Sequence, residues 1–141
     1  MLMPDVNILV YAYREELDDS RSWKWLTDLA SGPEPFAISE LVLHGFLRVV
    51  TNPKIFLPPS SVERALEFID ALLRSPGCHL IRPGALHWSI CRELCVRANI
   101  RGSLIADAVD AALAIESGCE WVTADTDFAR FSPPLRWRHL S

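Results

Sequence analysis

Short apolar runs alternate with longer amphipathic stretches along the whole chain, the pattern of strands separated by helices. Residues 1–4 form an apolar entry that ends at Asp5 and reads as a buried edge of a sheet. Residues 6–14 (VNILVYAYR) are apolar at most positions, so periodicity alone leaves strand and helix both open. Asp18-Asp19-Ser20 offers caps for a helix carrying Trp23, Trp25, Leu26 and Leu29, which Ser31-Gly32-Pro33 stops. Phe36-Ala37-Ile38 is a short strand, and Ser39 is placed to cap a helix over 40–50 that Asn52-Pro53 ends. A third helix follows Pro58-Pro59-Ser60-Ser61, with Val62, Leu66, Ile69, Leu72 and Leu73 on one face and Ser75-Pro76-Gly77 closing it. His79-Leu80-Ile81 is the next strand, residues 84–98 and 103–117 are helices, and Gly118 sits where a left-handed glycine ends a helix. Residues 120–123 and, more weakly, 135–138 complete the strands. Strands joined through helices imply parallel pairing, hence an α/β layered fold.

In an open parallel sheet, ligands gather in the crevice at the carboxyl ends of the strands. Asp5 follows the first predicted strand, Glu40 the second, and Asp125 the strand at 120–123, while Asp107 stands in the first turn of the preceding helix. Acids far apart in sequence thus converge on one edge. Crowded carboxylates raise one another's pKa and resist burial unless a cation relieves them. Oxygen donors of this kind suit Mg²⁺ or Mn²⁺, which can activate water and neutralise charge on a phosphodiester.

Each acid also has an ordinary reading. Asp5 suits a cap or an Asx-turn, Glu40 an exposed first helical turn, and Asp125 and Asp127 a generic loop. Asp107 lies among Leu104, Ile105, Ala106, Ala108 and Val109, where an unpartnered carboxylate is costly. Asp110 shares roughly the same helical face, open between an assisting acid and a solvent-facing one.

Composition narrows the class. The 141 residues are 50% hydrophobic and 23% charged, enough apolar surface for a single globular domain over 1–141. No apolar run approaches the roughly 20 residues of a membrane span, and the start lacks a basic region before its first carboxylate, so a cytoplasmic protein is expected. A net charge of −4 argues against nucleic-acid binding by bulk electrostatics but leaves room for a metal-dependent nuclease. Arg48, Arg97, Arg101, Arg130, Arg136 and Arg138 are candidates for a local basic rim. Cys91 and Cys95 lie four apart near His79 and His87, but their spacing falls inside a helix with no second tight pair, so free thiols are expected rather than zinc or disulfides.

Four segments together resemble the PIN-domain family, in the order and spacing of the VapC toxins. They are Pro4-Asp5-Val6-Asn7 with the apolar run after it, Ile38-Ser39-Glu40-Leu41 through Asn52-Pro53, Ala106-Asp107-Ala108 followed by Ala111-Ala112-Leu113-Ala114, and Val122-Thr123-Ala124-Asp125-Thr126-Asp127-Phe128. The resemblance implies a three-layer α/β/α PIN fold with a central, mainly parallel sheet. It also implies a Mg²⁺-dependent (or Mn²⁺-dependent) endoribonuclease that cuts RNA, forms a homodimer and is silenced by a VapB-type antitoxin. Asp5 and Asp107 would be the principal metal ligands, Asp125 would complete the site, and Asn7 and Thr123 would hydrogen-bond to it. Many members carry a second-motif glutamate where this chain has Gly45, so either Glu40, five residues earlier, is the expected substitute or the site has only three acids, with weaker metal affinity. A PIN nuclease of RNA processing without an antitoxin, a structure-specific DNA nuclease, or a non-cleaving RNA- or partner-binding module are the alternatives.

Overall fold

The computed structural model describes residues 1–141. Its strands are β1 (Leu2–Pro4), β2 (Phe36–Ser39), β3 (Cys78–Ile81), β4 (Glu120–Thr123) and β5 (Trp137–His139). They form one sheet in the order β3-β2-β1-β4-β5, with every neighbouring pair parallel. The predicted strands are all present and the parallel pairing holds throughout. The entry strand, however, is the centre of the sheet and not its edge, flanked by β2 and β4. Its brevity concealed this: three residues, two of them fully packed, suffice once both sides are hydrogen-bonded.

Six helices connect and cover the strands: α1 (Val6–Tyr13), α2 (Arg21–Ser31), α3 (Glu40–Val50), α4 (Val62–Leu73), α5 (His87–Ala98) and α6 (Leu104–Ser117). Two short 3₁₀ segments span Glu15–Leu17 and Thr126–Phe131. No helix is long and apolar enough to cross a membrane. The ambiguous stretch after Asp5 is helical because the Asp5 carboxylate accepts the Val6 N–H at 2.6 Å and starts the first turn. Ser39 caps α3 as its position suggested, accepting from Leu41 and Val42. Gly118 ends α6 at φ +70°, a conformation that costs glycine nothing. At α2 the work of the cap falls on Asp18, whose Oδ2 takes the Ser22 N–H and hydroxyl. The helix expected from residue 84 starts at His87, because the N–H groups of Gly84 and Leu86 turn instead to the Glu116 carboxylate.

The core is centred on Met3, Phe36, Ile38 and Trp121 of the sheet, with Phe46, Leu113, Phe128 and Phe131 packed around them. The buried face of α6 is mostly alanine (Ala108, Ala111, Ala112, Ala114), which suits close packing against its neighbours. Truncating the fully buried Trp121 to alanine is expected to cost about 3–5 kcal/mol, read as a lowered urea midpoint at unchanged slope. All four cysteines are free, Cys91 and Cys119 buried and Cys78 and Cys95 half-buried, in agreement with the thiol reading.

Candidate active site at the carboxyl edge of the sheet

The centre of the site is the junction of β1 and β4. Pro4 pairs with Val122, and the Asp5 N–H extends the ladder by donating to the Val122 carbonyl at 2.8 Å. That register sets Asp5 beside Thr123. The Thr123 hydroxyl donates to Asp5 Oδ2 at 2.7 Å, while Oδ1 takes the Val6 N–H. Asp5 is therefore a helix cap whose second oxygen is held by Thr123 at the carboxyl edge of the sheet. The same Thr123 oxygen accepts from the Asp125 N–H at 3.0 Å and from Asn7 Nδ2 at 3.4 Å. Asn7 Oδ1 in turn accepts the Ala124 N–H at 3.3 Å, and Asp125 Oδ1 that of Asp127 at 2.8 Å. Three side chains, Thr123, Asn7 and Asp125, with the backbone N–H of Val6 thus fix one carboxylate in orientation.

Two other acids, Asp107 and Asp125, act on it. Asp5 is 4% exposed, and burial pushes its pKa up to about 6 against the lowering effect of Thr123 and Val6; the charges of Asp107 and Asp125 push the same way as burial. Burial lifts Asp110 further, to about 8, with Asp5 and Asp107 adding to the rise. Asp107 is also raised, by burial and then by Asp125, with Arg130 opposing and Asp127 adding. Arg130 is the one basic side chain that tempers these acids; its Nε donates to the Asp127 carbonyl at 2.9 Å. Asp107 and Asp110 lie three apart on α6 and make no hydrogen bond within the chain, a costly state for ionised groups at this depth.

The sequence-predicted acids Asp5, Asp107 and Asp125 are thus brought into one electrostatic neighbourhood, joined by Asp110, whose role the sequence left open. The donor set is carboxylate oxygen, without histidine or thiolate, and it fits a hard divalent cation with water completing the shell. As the side chains stand, no three of them enclose a cation on their own.

Glu40 is placed differently. It follows β2 at the same edge, but its carboxylate pairs with Nε of Arg82, the residue after β3, and Glu40 is absent from the charges that act on Asp5, Asp107 or Asp110. It lines a cleft of about 540 Å³ together with Asp110, Arg48 and Gly45, so the position of the family glutamate opens into the same cleft. Arg82 was missed in the sequence. It occupies the position after its strand that singled out Asp5 and Glu40, but as a base it falls outside a pattern of converging acids.

The expected arginine rim is only partly present. Arg130 and Arg48 border the acids and the cleft, and Arg97 and Arg130 share a small hollow with Phe131. Arg136 and Arg138 are at the opposite end of β4, on the Gly118 carbonyl and the Glu120 carboxylate, because β5 runs parallel to β4 and presents its start to the far edge.

The PIN domain family model matches residues 2–132. Ribonuclease VapC43 of Mycobacterium tuberculosis is 44% identical over 140 residues, covering 99% of this chain and 95% of the relative. Ribonuclease VapC31 of the same species is 37% identical over 142 residues, covering 96% and 100%. Among solved structures, VapBC2 from Rickettsia felis bound to a promoter DNA fragment superposes with a TM-score of 0.75 at 24% identity, covering 99% of this chain and 98% of that one. VapBC-1 from nontypeable Haemophilus influenzae gives 0.71 at 13% identity, covering 99% and 97%. With its four motif segments folded onto one sheet edge and its relatives matched from end to end, the chain belongs to the PIN-domain family, within the VapC ribonuclease group.

Proposed function

We propose that this protein is a divalent-metal-dependent endoribonuclease, the toxin of a VapBC-type module, held inactive by a VapB-type antitoxin. The observation that carries the reading is the locked Asp5 carboxylate with Asp107, Asp110 and Asp125 gathered about it. These four would hold Mg²⁺ or Mn²⁺. Such a cation supplies charge neutralisation at the phosphodiester and a bound water of lowered pKa.

The chain's own residues prepare that chemistry. Thr123 and the Val6 N–H each occupy one Asp5 oxygen, so the carboxylate presents its remaining lone pairs in a fixed direction. Asn7 and the Asp125 N–H hold the Thr123 oxygen, coupling the β4 loop to α1. Replacing Thr123 with valine keeps the shape and removes the hydroxyl. Metal affinity or cleavage is expected to fall about 10–100-fold, as measured by Mn²⁺ titration and RNA cleavage.

An antitoxin needs a surface as well as a site. The helix carrying Trp23 and Leu26 forms, with α4, an apolar groove of about 330 Å³ that also takes in Ala30, Phe68, Ala71 and Leu72. Trp23 is 43% exposed there, which supports an amphipathic partner segment laid into the groove. In the stretch 41–50, Val42, Phe46 and Val50 are core, while Leu43 and Leu47 line a smaller hollow of about 240 Å³ with Leu66 and Ile69. This groove favours the toxin over a processing nuclease that works alone. A homodimer with a two-fold interface is part of the same proposal.

Sequencing the 5′ ends of cellular RNA after brief induction tests the function directly. New, sequence-defined ends are expected with the natural chain and none with Asp5→Ala. Equal end patterns in both would remove the enzyme reading.

A further inference from the structure

The carboxyl edge of the sheet carries a row of charged residues, one after each successive strand: Arg82 after β3, Glu40 after β2 and Asp5 after β1. The register pairs Ser39 with Ile81, which brings Glu40 and Arg82 side by side at the next position. Nε of Arg82 donates to Oε2 of Glu40, and the other guanidinium nitrogens make no hydrogen bond within the chain. The Arg82 side chain is 64% exposed and that of Glu40 36%, so the pair stands at the cleft mouth and not beneath it. An exposed pair of this kind adds little stability, yet it fixes the direction of an otherwise mobile guanidinium.

The cleft has a second cation on the same side. Glu40, His44 and Arg48 recur every four residues along α3, hence on one face, and all three line the cleft with Asp110 of α6. Arg48 is exposed and makes no ion pair. The cleft is therefore polarised, with Asp110 of α6 on one wall and Arg48 of α3 on the other, and the Arg82 guanidinium stands beside Glu40 at its margin. A polyanionic strand passing through needs such a wall, because the acids that hold a metal repel every phosphate other than the one the metal neutralises.

We propose that Arg82, aimed by Glu40, grips an RNA phosphate adjoining the one being cut, with Arg48 as a further contact along the cleft. Glu40 is then a positioning residue and not a metal ligand. Two strand spacings, roughly 10 Å, separate the backbone at Arg82 from that at Asp5, which suits a neighbouring phosphate. The fork of the guanidinium matches phosphate geometry, and one edge held by a carboxylate leaves the other free to bind. The inference rests on the endoribonuclease reading for its substrate.

The test measures binding and cleavage of a short fluorescent oligouridine RNA by the full-length protein, alongside Mn²⁺ affinity by calorimetry. Binding is read in the Asp5→Asn background, so that it does not depend on cleavage. Arg82→Ala is expected to weaken RNA binding and raise KM about tenfold, to reduce the salt slope of binding by about 0.7, and to leave kcat within about twofold. Glu40→Gln should reproduce part of the KM effect with Mn²⁺ affinity unchanged, and add nothing once Arg82 is alanine. Arg82→Lys should restore binding only in part, since an ammonium keeps the charge but loses the fork. A loss of Mn²⁺ affinity in Glu40→Gln with Arg82→Ala silent would overturn the proposal and return Glu40 to the metal. Cleavage by the natural chain with RNA binding indifferent to Arg82 would overturn this inference alone. Arg82-dependent RNA binding without cleavage would leave it standing while removing the endoribonuclease reading.

Discussion

Replacing Asp5 with asparagine should lower RNA cleavage by at least about 10²–10³-fold, the scale on which one preorganised electrostatic contact is lost. The substitution separates charge from shape. An asparagine oxygen can still accept the Val6 N–H that starts α1, and its amide can donate to the Thr123 oxygen in place of the bond that residue now gives. What disappears is the negative charge that would face a cation. Because the acid it replaces is buried and opposed by Asp107 and Asp125, the variant should fold at least as stably as the natural chain in the absence of metal. Alanine differs in that it also removes the cap, at a cost of about 1 kcal/mol. Single-turnover cleavage and urea unfolding of both variants separate the two contributions. A fully active, normally folded Asp5→Asn protein would show that the buried carboxylate is only a cap.

What the sequence made legible was governed by short-range rules. Ser39, Gly118 and the breaks at Gly32-Pro33 follow from capping and turn chemistry, and the structure keeps each of them. The convergence of Asp5 and Asp125 followed from topology, since residues after parallel strands share an edge, and Asp107 joins them from the first turn of α6, the helix that leads back into β4. Asp110 remained open because helical spacing says that it neighbours Asp107 but not how deep it lies. It lines a cleft with Val6 of α1 and with Glu40, His44 and Arg48 of α3, a long-range juxtaposition invisible in the local pattern. The pairing of Glu40 with Arg82 depends on the β2–β3 register over a separation of 42 residues, which no spacing rule reaches. The central place of β1 failed for a similar reason: three residues carry too little periodicity to reveal partners on both sides.

The metal-free protein should lose stability as the pH rises from about 4 to about 8, the reverse of ordinary acid denaturation. An aspartate in an unfolded chain releases its proton near pH 3.9. In the folded protein Asp5 holds its proton up to about 6 and Asp110 up to about 8, each chiefly through burial. Between these limits the native state binds more protons than the unfolded state, so unfolding free energy falls with increasing pH. The loss assigned to Asp5 is complete near pH 6, and that of Asp110 continues to about pH 8. A melting temperature in chelator that is higher at pH 5 than at pH 8 is therefore expected. Asp110→Asn should abolish the upper part of this slope and stabilise the metal-free protein at pH 8 by about 2 kcal/mol, or roughly 6 °C. Adding Mg²⁺ at about 100 times its Kd should stabilise the natural chain by about 2.7 kcal/mol, with a much smaller gain in the variant at the same Mg²⁺ concentration, because the ion then neutralises one mutually repelling acid fewer and has one ligand fewer. A flat or rising melting curve across pH 5–8 in chelator, or an Asp110→Asn protein no more stable than its parent, would mean that these acids do not repel one another enough to need a cation.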